Sequence, residues 1–222
     1  MASTFPLALA DFFEGLRLTS LAFELGENME VSETGGGEFL SNATGPRLWH
    51  GAVHIATDTV REMDQVIAKI DLLRQPGRSF FIGDPYHAHG ADDPAGSVLG
   101  DASVVFDKVH GNNRELKLKG APHGYEVVAG DHISIAHGTS PRVYDYFRVV
   151  KGRKFLSSQS STVTGWIEVQ PFIPTGISKG TEVRLVKPQL EAVYMPDTFS
   201  GGMRKPGGLA QGVSFRWQQT LR

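Results

Sequence analysis

The sequence predicts a mainly β protein in two parts with one helix, and three observations carry that prediction. Of 222 residues, 26 are glycine and 12 proline, a share that suits short strands joined by tight turns. Apolar and polar residues alternate in many short stretches, the two-residue period of a half-buried strand. One stretch, residues 59–74, stands out for the three- and four-residue steps of a helix. The expected architecture is an N-terminal β-sandwich-like domain packed on that helix, residues 1–95, followed by a small β-barrel or sandwich domain, residues 96–222.

Residues 5–25 open with an apolar run, Phe5-Pro6-Leu7-Ala8-Leu9-Ala10, and continue through Leu16, Leu18 and Phe23 in a strand-like rhythm. Pro6 has no amide proton, so this piece reads as an edge strand or an arm. Gly35-Gly36-Gly37 is a turn or loop. In residues 48–55, Trp49, Val53 and Ile55 share one face, while Leu48, His50, Ala52 and His54 share the other.

Thr59 and Glu62 fit a capping box at a helix start. Val60, Met63, Val66, Ile67, Ile70 and Leu73 then form one apolar stripe, and Pro76-Gly77 ends it. A strand follows at residues 78–82, closed by the turn former Gly83-Asp84-Pro85. Residues 84–101 hold few bulky apolar side chains and read as a loop and a domain boundary.

Beyond that loop the pattern is strand-only, with turns at Gly111-Asn112-Asn113, Gly124, Gly130-Asp131, Gly138 and Lys179-Gly180. The last alternating run, Val213-Ser214-Phe215-Arg216-Trp217-Gln218, needs a partner strand, in the first domain or in a neighbouring subunit.

Composition narrows the chemistry. There are no cysteines, which excludes disulfides, thiolate metal sites and cysteine nucleophiles. With 22 basic and 24 acidic residues the net charge is −2, which argues against a general nucleic-acid binder. Met1-Ala2-Ser3-Thr4-Phe5 lacks a basic leader region, and no stretch is long and apolar enough to span a bilayer, so the expectation is folding in a reducing cytoplasm without a membrane span.

The sharpest chemical candidate is His87-x-His89 with Asp92 and Asp93, since imidazoles two apart beside carboxylates can hold a transition metal. The plainer reading is a polar loop, because no second element supplies the remaining ligands. His50 and His54 lie roughly 13 Å apart along one strand, too far for one ion. They suit a half-exposed face or a subunit contact, and His132 and His137 read as surface or turn residues.

No Gly-x-Ser-x-Gly elbow, Ser-x-x-Lys helix start or phosphate loop is present. Asp84 and Asp131 follow glycines, where a side chain capping backbone amides is the ordinary role. Arg114, Lys117, Lys119, Arg142, Arg148, Lys151, Arg153 and Lys154 make the second half locally basic, which reads first as a solvated face. No catalytic, cofactor-binding or metal-ligating residue is assigned.

Several phrases resemble a family of minor tail proteins from siphophages and prophages of alphaproteobacteria. They are Leu72-Leu73-Arg74-Gln75-Pro76-Gly77-Arg78-Ser79-Phe80, Gly124-Tyr125, Gly130-Asp131-His132-Ile133-Ser134 and Ser214-Phe215-Arg216-Trp217-Gln218-Gln219. The order of parts is similar to that of distal tail proteins. The resemblance implies a structural virion protein rather than an enzyme. It implies a homo-oligomeric ring, of six copies, at the tail tip, joining the tail tube to hub, baseplate and receptor-binding proteins. No cofactor comes with it.

Two other functions stay open, beside a closely related position in the tail as a hub or tube-completion protein. One is a carbohydrate-binding or adhesin module of the tail using the second domain, with Trp166 at its centre. The other is a metal-dependent hydrolase built on His87, His89 and Asp92.

Overall fold

The computed structural model describes residues 4–157 and 161–222 as a mainly β chain, with antiparallel strand pairs and, among those residues, one α-helix. Met1-Ala2-Ser3, the start of the stretch that lacks a basic leader region, lies outside them. The chain forms two units. A barrel unit joins residues 1–15, 79–192 and 221–222, and a helix unit joins residues 16–78 and 193–220.

This division differs from the boundary expected near residues 84–101. That segment lies wholly in the barrel unit, and both units are built from separate stretches of chain. Composition marks a loop well. It carries no information about whether the chain returns later to the part it has left.

In the helix unit, the strands are β1 (Leu18–Leu21), β2 (Glu24–Leu25), β3 (Met29–Glu33), β4 (Phe39–Ala43) and β5 (Trp49–Ile55). Helix α1 (Val60–Leu73) follows. Strand β5 is central: β1 and β2 pair along one edge of it, Leu18 with Ile55 and Glu24 with His50.

On the other side of β5 runs the C-terminal strand, residues 209–219, in register Val213 with Ile55 through Gln218 with His50. The final alternating run therefore finds its partner in the first half of the same chain. The alternation of β5 buries Trp49, Gly51, Val53 and Ile55 and leaves His50 half-exposed and His54 exposed.

Helix α1 starts as its sequence dictates. The Glu62 amide donates to Thr59 Oγ1 at 3.2 Å, and Glu62 Oε2 accepts from the Asp58 amide at 3.0 Å. Met63, Ile70 and Leu73 are its buried positions. Of the piece expected to be an edge strand or an arm, Leu7 bridges Phe80, while residues 9–15 form turns and bury Phe12 and Phe13.

In the barrel unit, β6 (Phe80–Ile82) comes first. Then follow β7 (Val105–Val109), β8 (Glu115–Lys119), β9 (Glu126–Val127) and β10 (His132–His137). Next are β11 (Val143–Lys151), β12 (Arg153–Ser157), β13 (Thr162–Thr164) and β14 (Ile167–Gln170). Two further strands are β15 (Val183–Arg184) and β16 (Leu190–Tyr194). The helix unit then adds β17 (Ser200–Lys205) and β18 (Leu209–Gln219).

The sheet runs β15-β10-β11-β14-β8 with β7 on β8. Val105 bridges Glu182, and the Val183 amide donates to the Val104 carbonyl, so β7 meets the chain at β15. The circuit returns on itself as a small barrel. Such closure satisfies strand edges that would otherwise be bare. Inside it Phe106, Leu116, Leu118, Ile133, Ile135, Phe147, Val149, Ile167 and Val169 form one core. Residues 79–82 pair twice, with Leu7 on one side and with β16 on the other, in register Phe80 with Ala192.

Candidate functional site

A cluster of linked polar side chains sits where β10 begins. Register places His132 opposite Arg148 and Ser134 opposite Tyr146. Arg148 Nε donates to His132 Nε2 at 3.1 Å, and His132 Nδ1 and Tyr146 Oη lie 2.9 Å apart. The imidazole of His87 stacks on that of His132, with centroids 4.0 Å apart and planes 28° apart. His87 comes from a 3-10 turn, Pro85–His87, capped by Asp84, whose Oδ1 accepts from the Tyr86 amide. Asp84 Oδ2 lies 2.9 Å from His87 Nδ1.

His132 is only 3% exposed, so it is a core residue rather than the surface or turn residue its position suggests. Burial, reinforced by nearby His87 and Arg148, pushes its pKa down to about 3. Burial also raises the Tyr146 hydroxyl far above the usual phenol range.

Ligand atoms of Asp84, His87 and His132 lie within 4.8 Å of one another. Their arrangement nevertheless opposes a metal. A ring nitrogen binds an ion in the plane of its ring, and two nearly parallel stacked rings do not aim their lone pairs at one point. Both nitrogens of His132 already have protein partners, and one of these is a guanidinium. The cluster is a satisfied polar network holding the Pro85–His87 turn against β10 and β11.

The trio His87, His89 and Asp92 does not assemble. Among the described residues, the imidazole–carboxylate group that forms contains His87 with Asp84 and His132, without His89 or Asp92. His89 instead lies over Gly96, where an added Cβ would meet its ring at 2.7 Å.

Asp93 accepts the amides of Leu99, Val98 and Ser97 at 2.9–3.0 Å, and these bonds, Leu99 foremost, hold its carboxyl below the ordinary range. The segment that reads as a loop in the sequence is thus pinned from within. Asp131 does the capping its Gly-Asp context implies, accepting the Ala91 and Val128 amides. His137 Nε2 meets Asp145 Oδ2 at 2.6 Å, a largely buried pair in which burial raises the carboxyl pKa against the opposing pull of His137.

A second feature escapes the sequence pattern. Strands β3 and β4 pair from Met29 with Ala43 to Glu33 with Phe39, and every residue of both strands is exposed. Met29 is 45% exposed, Val31 53%, Leu40 57% and Phe39 72%. The base is tied where the Thr44 hydroxyl and amide bond Asn28, and the tip turns at Thr34, Gly37 and Glu38. The triple glycine marks the turn. The flanking strands are blurred by Glu30, Ser32, Glu33, Ser41 and Asn42.

The arrangement is that of an antiparallel β protein with a closed barrel unit, a helix-bearing sheet unit and a projecting apolar hairpin. No protein-family model matches the chain, and no curated protein matches it.

Proposed function

We propose that the protein is a structural, ring-forming component of a bacteriophage tail tip, in the distal position that joins the tail tube to hub and baseplate proteins. The single observation that carries this reading is the β3–β4 hairpin. An isolated two-stranded hairpin is at best marginally stable in water, and four large apolar side chains on it face solvent. Such an arm gains order and loses exposed apolar area by lying on another copy.

A head-to-tail contact of that kind, repeated around an axis, closes into a ring. The mainly β architecture with its single helix, and the sequence resemblance to distal tail proteins, support the tail assignment and a six-fold ring. On this reading the protein works by assembly and has no catalytic residues.

Native mass spectrometry and negative-stain imaging test the proposal on the purified chain. A variant whose residues 29–43 are replaced by a short Gly-Ser link is measured beside it. The expected result is closed rings for the natural chain and monomers for the variant, with matching far-ultraviolet circular dichroism. Monomer alone for the natural chain at micromolar concentration, together with its absence from purified tail tips, overturns the reading.

A further inference from the structure

The outer face of β7, β8 and β14 carries an aromatic platform. Trp166, just before β14, is half-buried, whereas Trp49 and Trp217 are fully buried. The ammonium of Lys117 lies 4.8 Å from the Trp166 ring centroid and that of Lys108 5.7 Å, while His110 meets the ring edge-on at 4.9 Å.

Beside them, at the β7–β8 turn, the Arg114 guanidinium lies 4.8 Å over Phe172, which is 57% exposed. Among the described residues, Lys108, Lys117 and Arg114 have no carboxylate within ion-pair distance. Nearby Asp107 is already held by Lys179 at 2.8 Å.

We infer that this face binds an acidic polysaccharide, a chain of sugar rings bearing carboxylates. Sugar rings stack their apolar faces on an indole, and the ammonium groups of Lys108 and Lys117 lie over this one. A cation over a ring at the protein surface is held only weakly, so either lysine swings aside at little cost. A neutral sugar would displace it and give nothing back. A uronate gives it a carboxylate.

Single-stranded nucleic acid fits less well. Its successive bases call for a row of open aromatic faces, whereas Trp166 is half-buried and Phe172 already lies under the Arg114 guanidinium. The inference goes beyond the ring reading and does not depend on it.

The test titrates the full chain with oligomers of polygalacturonate, with dextran of equal size and with an oligothymidylate. Because Trp166 alone of the three tryptophans is not fully buried, its emission reports occupancy, and calorimetry supplies an independent affinity. The expected result is saturable binding of polygalacturonate, weakened about tenfold or more by Lys108→Glu with Lys117→Glu and lost in Trp166→Ala.

Absence of saturable polygalacturonate binding overturns the inference. So does equal affinity in the charge-reversed variant, equal affinity for dextran, or tighter binding of the oligothymidylate. Glycan binding by a chain that stays monomeric would count against the ring alone, and rings without glycan binding against this inference alone.

Discussion

Arg148 donates its Nε–H to Nε2 of His132 at 3.1 Å, and that bond fixes the tautomer of a buried imidazole. A guanidinium has no acceptor, so Nε2 must keep its lone pair and the ring proton sits on Nδ1, facing Tyr146. Nitrogen-15 NMR should therefore show His132 as the neutral Nδ1–H form across the physiological range.

The same residue has a consequence for acid stability. Its folded pKa, about 3, lies below the ordinary 6.5, so its stabilising effect is complete above pH 6.5 and is lost as the pH falls toward 3. Each pH unit in that window costs up to about 1.4 kcal/mol. Denaturant unfolding of the natural chain and of His132→Asn should diverge in slope there. Parallel slopes would contradict the assignment.

Glu191 works with the opposite sign. Burial raises its pKa while the Ser79 hydroxyl, donating at 2.6 Å, pulls it down, and the net shift is upward. A raised carboxyl favours the folded state most below the unfolded pKa, and that advantage fades as the pH rises through the folded value. Glu191→Gln keeps an acceptor for Ser79 and should flatten the decline between weakly acidic and neutral pH. Equilibrium unfolding at a series of pH values checks it.

Gly51 lies in β5 where the chain of Ala22 crosses closely, and an added Cβ would overlap the Ala22 carbonyl. Gly51→Ala should lower stability by about 3 kcal/mol or more, since the obstruction is backbone rather than a movable side chain. Gly36→Ala, whose surroundings are open, should change the melting temperature little. Calorimetry of the two side by side separates steric overlap from the general effect of adding a methyl.

Phe39 offers a surface change with a selective readout. It is the most exposed large apolar residue of the hairpin, so Phe39→Lys should leave unfolding free energy within about 0.5 kcal/mol of the natural chain. If the chain forms the proposed ring, sedimentation of this variant should show that ring lost or weakened. A variant that assembles as the natural chain does would remove the hairpin from the interface.

The regular parts of the fold are legible because one physical rule governs each. Helix α1 is announced by Thr59, Glu62 and its apolar stripe, and β5 and β18 by clean alternation against a single buried face. His132 shows why the rest is not. In His132-Ile133-Ser134-Ile135, alternation puts Ile133 and Ile135 inward and so sends His132 out.

The first four residues of β10 are in fact buried on both faces, since the Pro85–His87 turn covers the second one. A two-residue period cannot register a second covering layer. His87 was likewise visible as a candidate, but Asp84 and His132 become its neighbours only through the fold. The hairpin β3–β4 is obscured because nothing in its own chain buries either face, so no period is imposed on it.

The pairing of Phe80 with Ala192 bears on how the chain could assemble itself. The two stretches of the helix unit are separated by the whole of residues 79–192, and closing so long a loop in an unfolded chain is entropically slow. Once β6 and β16 are zipped, residues 78 and 193 leave the barrel unit as neighbours. A distant encounter becomes a local one. In loop-closure terms the β6–β16 pairing works as a clasp: it shortens the free chain that separates β18 from β5.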